Sequence, residues 1–103
     1  MRLDIRSTNV EVDPSLRAHV EGRLAAALGR FSGRLRRVSV RVAVSAGPHG
    51  SEGRCRISAR VDGLAAPVVV EDVKPLLAVA IARAAERGAA AIGRRLAVAG
   101  FEP

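Results

Sequence analysis

The stretch Leu35-Arg-Arg-Val-Ser-Val-Arg-Val-Ala-Val-Ser45 decides the fold, because Val38, Val40, Val42 and Val44 alternate with Ser39, Arg41, Ala43 and Ser45. Successive side chains on a strand project to opposite faces, so this spacing sends the valines into a core and Arg37 and Arg41 away from it. The run Arg54 to Val61 repeats the design, with Cys55, Ile57, Ala59 and Val61 on one side and Arg54, Arg56, Ser58 and Arg60 on the other. Between the two runs, Ala46 to Gly53 holds Gly47, Pro48, Gly50 and Gly53 and reads as the turn. The pattern predicts an antiparallel hairpin with one apolar face and one arginine-bearing face.

Outward from the hairpin, Arg2 to Arg6 alternates with Leu3 and Ile5 inward and reads as a short first strand. After the polar turn at Ser7, Thr8 and Asn9, Asp13-Pro14 marks a helix start. Asp13 can cap free N–H groups, and Pro14 suits the first helical position, where no hydrogen bond is lost. Leu16, Val20, Leu24, Ala27, Leu28 and Phe31 then recur at helical spacing, and the stripe ends in the segment from Gly29 to Gly33. Gly22 weakens the middle of this helix by about 1 kcal/mol relative to alanine.

Downstream, Asp62-Gly63 is a turn signal, and Pro67-Val-Val-Val-Glu71 suits a last strand near a sheet edge. Asp72 and Pro75 are expected to open a second helix running to about Leu96. Leu77, Ile81, Ala84, Ala85, Gly88, Ile92 and Leu96 share one arc of it, with Val79 outside the scheme and Arg83, Arg87 and Arg94 in a narrow opposite stripe. The order is β-α-β-β-β-α, an α+β fold. Burial is simplest with both helices on one face of a four-stranded mixed sheet whose first two strands run parallel through the helical crossover. A length of 103 residues predicts a single domain over 1–103.

The chain is 49% hydrophobic and carries a net charge of +7, with Lys74 the one lysine among 17 basic residues. That balance points to a polyanionic partner, nucleic acid or an anionic membrane. Two phenylalanines with neither tyrosine nor tryptophan leave no platform on which bases stack, so the expected contact is to phosphates and reads backbone shape rather than sequence. Met1 to Asn9 lacks the apolar core of a secretory signal. The run Leu76 to Ala82, interrupted by Arg83, falls far short of the roughly 20 residues of a membrane span. A lone cysteine forms no internal disulfide, which is compatible with a cytoplasmic protein.

Catalytic and metal chemistry find no footing. Gly47-Pro-His-Gly50 has the spelling of a nucleic-acid-clamping GXXG loop, yet it joins two strands and reads as a hairpin turn. Cys55 has inward parity and reads as a small core residue. His19 and His49 have no partner at ligand spacing, and no metal site is expected. No set of nucleophile, base and orienting group, no phosphate-binding glycine loop and no pair of catalytic carboxylates is present, so neither an enzyme, a small-molecule substrate nor a cofactor is expected.

Two segments carry a resemblance: Asn9-Val-Glu-Val-Asp-Pro-Ser-Leu-Arg-Ala-His-Val-Glu-Gly-Arg-Leu24 and Leu28-Gly-Arg-Phe-Ser-Gly-Arg-Leu-Arg-Arg-Val-Ser-Val-Arg-Val42. They resemble, almost position by position, the amino-terminal half of the ribosome hibernation factors, also called ribosome-associated inhibitors or sigma-54 modulation proteins. Element order and length extend the resemblance to roughly residues 1 to 97. It implies a domain shaped like double-stranded-RNA-binding domains. It also implies a place in the messenger and transfer RNA channel of the small ribosomal subunit, where such proteins block translation in stress or stationary phase. Family basic positions fall on Arg23 and Arg87. Where the family usually begins its second helix with Asp-x-Tyr, this chain has Leu76-Leu77-Ala78. Long members carry a second, dimerising domain, and this chain resembles the short form, expected to be monomeric when free.

The expected contacts to ribosomal RNA therefore run through Arg23 and Arg30 on the first helix and Arg83, Arg87 and Arg94 on the second. Arg37, Arg41, Arg54, Arg56 and Arg60 on the sheet are the competing set. Two other classes remain: a protein-interaction module pairing a sheet edge with a partner strand, and a membrane-surface role through the second helix. The alanine-rich arc of that helix lacks the bulky anchors the membrane role needs.

Overall fold

The computed structural model describes residues 1–100, so the last three positions of the expected 1–103 domain lie outside the described residues. The chain runs β1 (Arg2–Thr8), α1 (Pro14–Leu28), a 3-10 turn (Gly29–Phe31), β2 (Leu35–Gly47), β3 (Gly50–Val61), β4 (Val68–Lys74) and α2 (Leu77–Val98). The sheet order is β1-β2-β3-β4, with β1 parallel to β2 and the other neighbours antiparallel. This is the α+β arrangement that the alternation and helical stripes predict.

Local chemistry sets α1. Asp13 stands in extended conformation before it, its Oδ1 accepts the Leu16 N–H at 2.8 Å, and Pro14 occupies the first turn. Val20, Leu24 and Leu28 are buried along its stripe, and Phe31 continues the contact from the 3-10 turn. Opposite them, Val38, Val40 and Val42 of β2 and Cys55, Ile57 and Ala59 of β3 form the apolar sheet face, with Val40 paired to Ile57 and both 2% exposed. The helix α2 closes the layer with Ile81, Ala84, Ala85, Ile92 and Leu96. Val79, outside the apolar arc, is 42% exposed.

Three boundaries differ from the sequence pattern, each because strand pairing runs further than local signals show: Ser7 and Thr8 pair with Val42 and Ala43 and belong to β1 rather than to a turn, and the hairpin and the last strand are both longer. The hairpin turn is only Pro48-His49, not Ala46 to Gly53, since Gly47 pairs with Gly50 and the ladder continues through Ala46↔Ser51 to Val44↔Gly53. Gly50 takes φ +116, a left-handed conformation that glycine adopts without steric cost, and so closes a two-residue turn behind Pro48. Gly53 is a buried strand residue: a Cβ there would lie 2.4 Å from the Leu77 Cα, so the absent side chain lets the start of α2 touch β3.

The last strand is likewise longer. Val73 and Lys74 pair with Arg54 and Gly53, and Asp72 lies opposite Cys55 in β4, so Asp72 does not cap α2. The helix starts at Leu77 after an extended Leu76 with no side-chain cap. At the other end of the hairpin, the register shifts between Leu35 and Arg37, leaving Arg36 as the extra residue. Two arginines separate the inward-facing Leu35 and Val38, and the irregularity lets both be buried. Arg36 turns outward to pair with Asp62.

Candidate nucleic-acid interface

The first-choice arginines sit on the helical layer but not in one setting, and Arg30 lies in the 3-10 turn that follows α1 rather than on the helix itself. Arg23 and Arg30 are exposed along the seam between the helices, a shallow groove floored by Ala26, Ala27, Ala82 and Ala89 and bordered by Glu86. The Arg30 guanidinium lies over the Phe31 ring, 4.6 Å from its centroid, which holds its planar group in place. On α2, Arg83 pairs with Glu86 at 3.6 Å. Arg87 turns towards β4, donates to the Glu71 backbone carbonyl and pairs with Asp72 at 3.7 Å. Arg94 stands further along, beside Gly63, Leu64 and Val69, and has no ion pair or hydrogen bond among the described residues. Helical spacing brings Arg83, Arg87 and Arg94 to one face, but their neighbours divide them: two are engaged and one is free.

Arg87 and Arg95 do a second job. Arg95 donates to the Ala66 carbonyl at 3.2 Å, just before β4, and Arg87 occupies the Glu71 carbonyl within it. Both lie along the sheet's outer edge. Occupied carbonyls and charged side chains there make strand addition by a partner less favourable.

The opposite, open face of the sheet is organised in rows by the strand register. Arg2, Arg37 and Arg60 form one row; Asp4, Ser39, Ser58 and Val69 the next; Arg6, Arg41, Arg56 and Glu71 the third. Arg54 follows in the adjoining row and pairs with Glu71 at 2.6 Å, while Arg37 pairs with Asp4 at 2.8 Å. Glu71, at the end of the third row opposite Arg56, and Asp4, in the row beside it, are thus engaged by flanking arginines. Arg6, Arg41 and Arg56 have no ion pair or hydrogen bond among the described residues. At the strand spacing of about 4.8 Å, two adjacent guanidiniums repel by roughly 0.9 kcal/mol in a water-like dielectric. Asp4, Arg6, Arg37, Ser39, Arg41, Arg56 and Ser58 surround an open hollow of about 500 Å³.

Of the competing set, Arg37 and Arg54 are therefore tied to carboxylates, whereas Arg41, Arg56 and Arg60 are exposed and unengaged among the described residues. Arg6 is the member that sequence reasoning missed. Its signal is its register opposite Arg41, which the alternation of a short strand does not reveal until the parallel partner is known.

Cys55 and His19 serve the fold. Cys55 is buried, and its thiol is pushed up to about 12 by burial first, then by the nearby charges of Asp72 and Glu71. His19 on α1 shares a 3.2 Å hydrogen bond with the Ala78 carbonyl of α2 and ties the helices together. Among the described residues no group of three or more His, Cys, Asp or Glu side chains could hold a metal ion, and no helix is long and apolar enough to cross a membrane.

Comparison with known proteins gives a family. The profile described as sigma 54 modulation protein / S30EA ribosomal protein matches residues 3–96. Among solved structures, the Protein Y N-terminal domain of Thermus thermophilus is 24% identical, over 92% of this chain and 99% of that one, with a TM-score of 0.70. A ribosomal subunit interface protein from Coxiella burnetii is 9% identical, over 94% and 99%, with a TM-score of 0.76. At these identities the two structures speak for the fold. No curated protein matches the chain significantly.

Proposed function

The chain belongs to the sigma 54 modulation protein / S30EA ribosomal protein family, and from that premise we propose that it is a ribosome-associated inhibitor of translation. In this reading it binds small-subunit ribosomal RNA in the channel of messenger and transfer RNA and keeps those ligands out. The observation that carries the reading is the combination of family membership with exposed arginines on the helical layer, a surface without stacking aromatics among the described residues. Arg23 and Arg30 line the seam between the helices, and Arg94 is free beyond it. Guanidinium groups match phosphate oxygens in pairs, so such a surface grips RNA backbone without reading bases. Arg83 and Arg87 would join by exchanging their carboxylate partners for phosphates, since both side chains remain more than half exposed. The chemistry is occlusion, a binding function that requires no catalytic group.

The test is competition. Purified small subunits should bind the protein when empty and should bind it weakly once messenger and initiator transfer RNA are loaded. Binding to loaded and empty subunits with equal affinity would refute occlusion, and no binding to either would refute the ribosomal reading.

A further inference from the structure

The arginine row on the open sheet face has no role in the reading above, which uses the helices on the other side. We propose that this face is a second RNA-backbone site, in which Arg6, Arg41 and Arg56 hold phosphates of a strand other than the one met by the helices. Three observations carry it. First, β1, β2 and β3 bring these residues into one straight row, Arg6↔Arg41↔Arg56, although they are far apart in sequence. Like charges placed directly opposite one another on a sheet are unfavourable, and a bound polyanion relieves that repulsion.

Second, the acids that would otherwise neutralise the row are already held: Asp4 by Arg37 and Glu71 by Arg54. Third, Ser39 and Ser58 border the same hollow and supply the hydroxyl donors that often accompany arginine at phosphates. The row spans about 10 Å across three strands, the scale of roughly two or three phosphates of an extended strand. Among the described residues no aromatic side chain is placed on this face, so the part recognised is the backbone. The open face and the helical layer point in opposite directions. A domain with both sites engaged bridges two RNA segments.

The bridging of two strands rests on the helices gripping RNA backbone as proposed above, whereas the sheet site is tested separately through single-strand affinity, so that failure of the one is distinguished from failure of the other. The parent protein is mixed with donor-labelled and acceptor-labelled strands of a short oligouridylate, and energy transfer between strands is followed beside single-strand affinity and salt dependence. The parent should bring the two strands together. Arg41→Gln with Arg56→Gln should abolish the transfer while one strand still binds, with the salt slope of the sheet-bound strand reduced by roughly 1.4 for the two lost phosphates. Arg6→Gln alone should weaken that strand by about tenfold. All three positions are exposed, and circular dichroism of the variants should match the parent. Transfer unchanged in the double variant would overturn the proposal. So would transfer that tracks protein dimers in light scattering, or oligoglutamate displacing the sheet-bound strand as well as RNA of equal charge.

Discussion

Val40 and Arg41 are adjacent in the chain and on opposite sides of the sheet, and the fold depends on that difference. Val40→Asp places a carboxylate among Ile57 and its neighbours with nothing to pair with, at a cost of several kcal/mol, comparable to a small domain's whole stability. Arg41→Asp keeps its charge in water and should leave the denaturation midpoint nearly unchanged. A folded Val40→Asp beside an unfolded Arg41→Asp would mean that the register is wrong. Cys55, two residues from Ile57, was legible as a core residue from parity alone. Its thiol is held protonated in the fold, raised from 9.0 to about 12. Below pH 9 the thiol is protonated in both states and costs nothing. Above it the unfolded thiol ionises first, so stability should fall steadily as pH rises from 9 towards about 12. Urea titrations at rising pH should show this slope in the parent and its loss in Cys55→Ala. Arg87 shows the limit of residue reading: its spacing announced a free surface charge, while the Glu71 carbonyl that holds it lies on a strand sixteen positions earlier.

At the scale of elements, α1 carries its own instructions, and two substitutions measure them. Asp13→Ala removes the acceptor of the Leu16 N–H and should cost about 1 kcal/mol. Gly22→Ala should add up to about 1 kcal/mol, since a Cβ there meets nothing within 4 Å. Thermal unfolding of the two variants should move in opposite directions, and a shared direction would contradict the account of the helix. The start of α1 was legible because its cap, its proline and its apolar stripe are local. The junction of β4 and α2 was not, because Asp72-Val-Lys-Pro75 has the spelling of a helix start while its pairing partners, Cys55 to Gly53, are distant in sequence. The same holds for the hairpin: glycines at 47, 50 and 53 announce a loop, yet only Gly50 serves the turn, and Gly53 is needed where α2 meets β3.

Over the whole molecule, the arginines of the proposed RNA surfaces also bear on self-association. Arg2 and Arg6 on β1, and Arg87 and Arg95 reaching from α2 to the Glu71 and Ala66 carbonyls, set basic side chains along both outer edges of the sheet. The free protein should therefore scatter light as a monomer at micromolar concentration; a stable dimer would favour the edge-pairing interaction module instead. Which arginines stand free of carboxylates was only partly readable. Sequence periodicity found the faces, but the division into ion-paired and free members depends on carboxylates brought in by other strands. The central claim is that the helix arginines grip small-subunit RNA through its phosphates, and binding to purified small subunits across a salt series tests it most directly. For Arg23→Gln with Arg30→Gln, the account predicts weaker binding and a salt slope shallower by roughly one unit per lost contact. A double variant whose affinity and slope equal the parent's at every salt concentration would contradict it.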